Sequence, residues 1–285
     1  MKLLLIFALC VVGTFAAEGP IYEFPEWWEG RDIKQSEYIQ SKVRGGRIIG
    51  GQEATPNQFP YQAGLRLSFA TTQNIGTCGG SLVSTTRVIS AAHCVDVVTQ
   101  AEVVLGGHFI NNRDEPAQVR VIVPRSGLVW HESYNPNNLN NDVAILMFPS
   151  PVTLTPQIQP IALPDGADLQ NDFAGELATG SGWGRFGSAN VISEFLRYVQ
   201  LNVITNAACR IRFPGIIVDS TICTSGDGIV GACNGDSGGP LTVQRNGESM
   251  LIGVASFVSG LGCESGWPTG WARVTSFVPW FRARM

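Results

Sequence analysis

Three short stretches of the chain hold side chains that together could move an acyl group. "ISAAHC" places His93 beside Cys94, "NNDVAILMF" puts Asp142 at the head of an apolar run, and "GACNGDSGGP" sets Ser237 between an aspartate and a glycine pair. A serine hydroxyl attacks a carbonyl well only when a base takes its proton, an acid fixes the tautomer of that base, and N–H donors meet the oxyanion. Singly, each residue has a plainer reading. A histidine next to a cysteine is a packing residue, an aspartate before a strand is a cap, and a serine between Asp and Gly is a turn residue. Jointly, in the order His, Asp, Ser, they point to nucleophilic catalysis.

Such side chains need a rigid frame, and the pattern from Ile48 onward is that of an all-β chain. Short runs such as "VRVIVP", "DVAILMF", "LRYVQLNVI" and "MLIGVASFV" are rich in Val, Ile and Leu and are separated by Gly, Pro and Asn clusters. Asn246-Gly247 reads as the turn of a hairpin. Helical signals are few: "TNAACRIRF", with Thr205 or Asn206 as cap, and the terminal "TSFVPWFRARM", which sets Phe277, Trp280 and Phe281 on one face. Many short strands with glycine-rich turns mean a barrel or a sandwich.

The chain has 285 residues, 44% hydrophobic and 15% charged, enough for one large core or two smaller ones. A formal charge of −4 gives no basic footprint and points away from nucleic acid and acidic membrane surfaces. The first residues, "MKLLLIFALCVVGTFAAEGP", read as a secretory signal peptide over 1–16, cut after Ala16 or Ala17; the apolar run is shorter than the ~18 residues a membrane anchor needs. Secretion implies an oxidising compartment. Once Cys10 has left, Cys78, Cys94, Cys209, Cys223, Cys233 and Cys263 make an even set whose pairing spacing alone cannot choose. With no CxxC pair and three histidines, zinc is not expected, nor is any cofactor. There is no N-glycosylation sequon.

Residues 17–47 are dense in charge, lack cysteine and show no period, and they end in "RGGR". The Trp27–Trp28 pair is read as the apolar content of a loosely packed segment. The shift in composition marks a boundary at Arg47/Ile48, where a protease could enter.

"RIIGG", "CGGSLVS…AAHC", "NDVAIL", "GSGWG", "GDSGGP", "SFVSGLGC" and a terminal tryptophan helix, in that order over Ile48–Met285, resemble the trypsin/chymotrypsin/elastase family of secreted serine peptidases. The resemblance implies two packed six-stranded antiparallel Greek-key β-barrels with a C-terminal helix, and a site in the crevice between them. It implies His93 as base and then acid, Asp142 as its orienter, Ser237 as nucleophile, the N–H groups of Gly235 and Ser237 as oxyanion hole, and Ser256 as a partner of Asp142. His108 and His131 lie outside the motifs and are read as structural or exposed. The family's disulfides would be Cys78–Cys94, Cys209–Cys223 and Cys233–Cys263. Residues 17–47 would then be an activation pro-segment without a disulfide tether, and 48–285 the peptidase domain. Cleavage after Arg47 by a trypsin-like protease would free the Ile48 ammonium to pair with Asp236. Alkaline loss of activity would follow from that amine, and an acid limb near ~6.5 from His93.

The pocket for the residue before the scissile bond would have Gly231 at its base, so no charge selects Arg or Lys. Val258 and Thr269 would stand as its walls, as in elastase, favouring Ala, Val or Leu. The alternative is a chymotrypsin-like or collagenolytic preference for Phe, Tyr or Leu, since "VSGLG" and Gly231 could widen the slot. The family's calcium loop carries two glutamates where this chain has Gly107 and Ala117, so no calcium requirement is expected, although Asp114 and Glu115 lie nearby. Protein or peptide substrates and proteinaceous serine-protease inhibitors are the implied partners, for a monomer. A catalytically silent, secreted binding homologue is the competing class; such chains lose the serine, the histidine or the activation site, and this one keeps all of them.

Overall fold

Branched side chains favour a pleated, half-buried surface and glycines release the turns between them; strands accordingly dominate the computed structural model, which describes residues 49–70, 72, 73, 75–186 and 191–285. The stretches read as signal peptide (1–16) and pro-segment (17–47, ending at Arg47), together with Ile48, lie outside the described residues.

After a two-residue strand β1 (Gln52–Glu53), the chain builds a first barrel from β2 (Gln62–Phe69), β3 (Ile75–Ser84), β4 (Arg87–Ser90), β5 (Val98–Leu105), β6 (Val119–Pro124), β7 (Leu128–Trp130) and β8 (Ala144–Met147). Their order is β6-β5-β2-β3-β4-β8-β7, and every pairing is antiparallel. The two ends of that order, β6 and β7, are halves of one bent strand interrupted by a 3-10 turn at Arg125–Gly127. The barrel therefore closes on itself with six strands' worth of chain. The second barrel comprises β9 (Leu177–Gly182), β10 (Arg197–Ile204), β11 (Thr221–Thr224), β12 (Pro240–Arg245), β13 (Glu248–Phe257) and β14 (Thr269–Arg273). It closes because β9 pairs with both β12 and β10, and β1 is added to the outer side of β10. Asn246 and Gly247 turn the β12–β13 hairpin with φ of 53° and 85°.

Each barrel has its own core: Leu65, Leu82, Val103 and Ile145 lie in the first, and Phe173, Leu201, Ile252 and Trp271 in the second. The barrels meet closely. A Cβ on Gly79 would sit 2.8 Å from the Gly239 backbone, so only glycine allows the Gly79 N–H to reach Ser237 O at 2.7 Å. The C-terminal helix (Val274–Arg282) follows the second barrel but buries Val274, Phe277, Val278 and Phe281 in the first core, stapling the two. Trp280 packs, partly buried, against the same core, and its indole N–H donates to the Glu132 carboxylate at 2.7 Å, with Arg284 stacked on the ring. Among the described residues, no helix is long and apolar enough to cross a membrane.

Candidate active site

His93 lies on α1 (Ala92–Val95), a single turn that could not hold itself together in isolation. A disulfide from Cys94 to Cys78 fastens it to β3. At its other end, Arg125 donates to the carbonyls of Val95 and Asp96 at 2.9 and 3.0 Å while stacking on Trp130. Asp142 stands just before β8 and is wholly buried. Its carboxylate is satisfied by three donors: His93 N–H at 3.0 Å and Ser256 O–H at 2.6 Å, and at 2.7 Å the Nδ1 of His93. Ser256 reaches it from the second barrel because of a bulge. Ala255 pairs with Trp271 and Phe257 with Gly270, so Ser256 is an extra residue squeezed out of register and turned toward Asp142.

Burial by itself would disfavour the His93 imidazolium. The Asp142 charge and hydrogen bond, with a smaller contribution from Asp96, outweigh it and raise the pKa above the ordinary 6.5.

Ser237 lies in the bend between Asp236 and Gly238, braced by the Gly79 bond to its carbonyl. A Cβ on Gly238 would meet Ser90 Oγ and the Ala91 amide, which places this bend against the residues leading into α1. No hydrogen bond joins Ser237 Oγ to His93 Nε2; catalytic contacts of this kind commonly tighten only with substrate bound. Among the described residues, the N–H groups of Gly235 and Ser237 have no acceptor. Gly235 has φ of 97°, a conformation that side chains rarely adopt, and a Cβ on it would lie 3.0 Å from the Gly184 Cα.

Asp236 is buried beneath this bend. It accepts the Gly184 N–H at 2.7 Å and the Cys233 N–H at 2.9 Å, and a Cβ on Gly184 would collide with its carboxyl carbon at 2.4 Å. Burial pushes its pKa up to about 7 against the pull of those two bonds, and no described cation meets it. Nearby, Ile49 is buried and accepts the Gly231 N–H at 3.2 Å, tying the start of the described chain to the pocket residue.

Of the expected pocket residues, Gly231 and Thr269 lie against each other. A Cβ on Gly231 would lie 2.8 Å from Thr269 Oγ1, so the threonine side chain already occupies the space above it. Thr269 and Ser256 are buried and Val258 is half-buried. A Cys233–Cys263 disulfide spans this region, and a third bridge links Cys209 to Cys223.

This arrangement matches known proteins closely. A family model described as "Trypsin" matches residues 48–281. The chain belongs to the trypsin family. It is a serine endopeptidase, and it acts on protein substrates. A collagenase of Hypoderma lineatum is 40% identical over 285 residues, covering 99% of this chain and 97% of that one. Brachyurin of Leptuca pugilator is 40% identical over 238 residues, 83% of this chain and 98% of its own. A solved structure described as HL collagenase superposes with a TM-score of 0.74 at 41% identity, over 83% of this chain and 98% of that one.

In residues 107–118, where the family resemblance would set a calcium loop, the groups present fit the ion poorly. Gly107 and Ala117 offer no carboxylate, and Glu115 is committed to the N–H groups of His108 and Phe109 and to the Gln118 amide, each within 3.0 Å. The described residues hold one cluster of possible metal ligands, Cys78, His93 and Cys94, and its two sulfurs form a disulfide. His108 is buried against Phe109 and Phe195 and bonds Glu53, while His131 packs on Phe277 and Trp280. Sequence reasoning overlooked Gly184, which confines Asp236, and Asp96, whose charge reaches His93; the only available signals were their places in "GSGWG" and "AAHCVD".

Proposed function

We propose that this endopeptidase is secreted as a zymogen, activated by a trypsin-like protease after Arg47, and cuts after small or medium aliphatic residues. The observation that carries the catalytic part is the hydrogen-bonded chain Ser256–Asp142–His93, which crosses from one barrel to the other, with the bend that holds Ser237 packed against Ser90 and Ala91 just before α1. His93 takes the proton of Ser237 as Oγ attacks the carbonyl, with Asp142 holding the tautomer and stabilising the imidazolium. The N–H groups of Gly235 and Ser237 receive the oxyanion, each donor contributing ~2.7–4 kcal/mol. The imidazolium then protonates the leaving amine, and water releases the acyl group by the same steps in reverse.

A raised His93 pKa has a definite consequence. The base works only when neutral, so kcat/KM falls as pH drops through a value above the ordinary 6.5. A titration of kcat/KM between pH 4 and 8 checks this, and an acid limb at or below 6.5 contradicts it.

Activation is supported by the buried Ile49, its bond to Gly231, and an Asp236 that no described cation neutralises. The family match also begins at residue 48. Residues 1–16 serve as signal peptide and 17–47 as the segment removed.

Specificity rests on Thr269. With Thr269 Oγ1 over Gly231, the pocket base offers no charge for Arg, and the threonine takes up space that an aromatic ring would need. Peptide p-nitroanilides ending in Ala, Val, Leu, Phe, Tyr or Arg test this after activation on immobilised trypsin. Ala, Val or Leu is expected to exceed Phe by at least ~10-fold in kcat/KM, and Thr269→Gly to shift the preference toward Phe. Phe or Tyr leading in the unmodified enzyme would favour the aromatic reading instead.

A further inference from the structure

Asn141 immediately precedes the buried acid, and no step above uses it. Its φ is 59°, in the left-handed region that side chains other than glycine occupy seldom, asparagine and aspartate more readily than the rest. Its carbonyl accepts the Val143 N–H at 2.8 Å, which makes Asp142 the middle residue of a three-residue turn. Its side-chain amide donates to Ser133 O at 2.8 Å.

The loop leading to it is closed by further asparagines. Asn135 Oδ1 accepts the Asn137 N–H at 2.9 Å, Asn138 Oδ1 accepts the Asn140 N–H at 3.1 Å, and Asn135 N–H donates to Asn140 O at 3.0 Å. The chain thus reaches Asp142 from a fixed direction. That direction matters because the carboxylate must meet donors from both barrels, His93 from one and Ser256 from the other, with no slack from solvent.

We propose that Asn141 is a positioning residue: its left-handed backbone aims Asp142 at His93. The proposal rests on the triad reading above and adds a residue to it. A side chain that resists this backbone, alanine and more strongly valine, turns the peptide before Asp142 and loosens the carboxylate from the imidazole. A small misplacement of a catalytic group can cost up to ~10²-fold in rate.

Asn141→Gly, Asn141→Ala and Asn141→Val test this beside Asp142→Asn, each cleaved, checked for a cooperative thermal transition, and assayed for kcat, KM and the acid limb of kcat/KM. Glycine is expected to stay within about threefold of the wild-type kcat, although it loses the Ser133 bond. Alanine should lose ~10-fold and valine more, with KM little changed. The acid limb should move to lower pH in both, because Asp142 and Asp96 are the charges that raise the imidazole and the first is then weakened. A merely structural role would lower Tm without moving that limb. If valine does not fold, the alanine and glycine variants carry the comparison. Alanine with wild-type kcat and pH profile, or glycine as impaired as alanine, overturns the proposal while Asp142→Asn is inactive. An active Asp142→Asn enzyme overturns the triad reading, and the proposal with it.

Discussion

Asp142→Asn is expected to lower kcat by about four orders of magnitude, as in the general serine-protease case, while KM and Tm change little. The reason lies in the donors around the carboxylate. Oδ1 accepts the His93 amide, and Oδ2 faces both Nδ1 of His93 and the Ser256 hydroxyl. Asparagine can present oxygen to only one side. With its oxygen kept on the His93 amide, its NH₂ group faces Nδ1, which must then accept and therefore cannot carry the proton. The proton moves to Nε2, and an imidazole protonated there cannot take one from Ser237. Volume is conserved and the surrounding groups still find partners, so the cost falls on the tautomer rather than on the fold. Steady-state assays of the trypsin-cleaved variant beside a thermal scan separate the two. A kcat within tenfold of wild type would mean that Asp142 does not set the tautomer.

Asp236→Asn is expected to act in opposite directions on activity and on stability. After cleavage the Ile48 ammonium has no charge to meet, and an uncompensated buried ion costs ~3–5 kcal/mol, so kcat/KM should fall at least ~100-fold. In the uncleaved precursor the acid itself is the burden. Its pKa of about 7 lies above the ordinary 3.8, so between those values the native state holds a proton that the unfolded chain releases. Stability contributed by this group is therefore present at low pH and lost as pH rises through about 7. Asparagine does not ionise and escapes that loss. The Tm of the precursor variant, relative to wild-type precursor, should rise by roughly 2 °C or more between pH 4 and pH 8. A Tm difference independent of pH would show that Asp236 is neutralised before cleavage.

Much of this site could be read from residue types, because acyl transfer requires a fixed set of groups, and His93, Asp142 and Ser237 point to it jointly although each alone reads as a packing residue, a cap or a turn. The closure of each barrel was also legible as a class of fold. Its details were not, since they depend on register. In "VRVIVPRSGLVW" the run closes visibly at Pro124, but that the strand resumes beyond Arg125–Gly127 as β7 depends on its pairing with β8. The bulge at Ser256 likewise arises from pairing with β14, a partner a local pattern cannot name. Gly184 illustrates the same limit: its need to be glycine comes from Asp236, some fifty residues on. Periodicity sets Trp280 beside Phe277 and Phe281 on the core, but it says nothing of the indole N–H that finds Glu132. For Asn141 a hint was present in the asparagine-rich "NPNNLNND", a composition suited to left-handed turns, but only the backbone angles show which asparagine carries the strain.

Cleavage after Arg47 is expected to turn Ser237 into an activated nucleophile. Treatment with diisopropyl fluorophosphate before and after trypsin cleavage, followed by mass mapping of the adduct and sequencing of the new N-terminus, tests it most directly. A single adduct on Ser237, found only in chains that begin at Ile48 and absent from Ser237→Ala, is the expected result. A cleaved wild-type chain that takes no adduct, or takes it at another residue, would contradict the account.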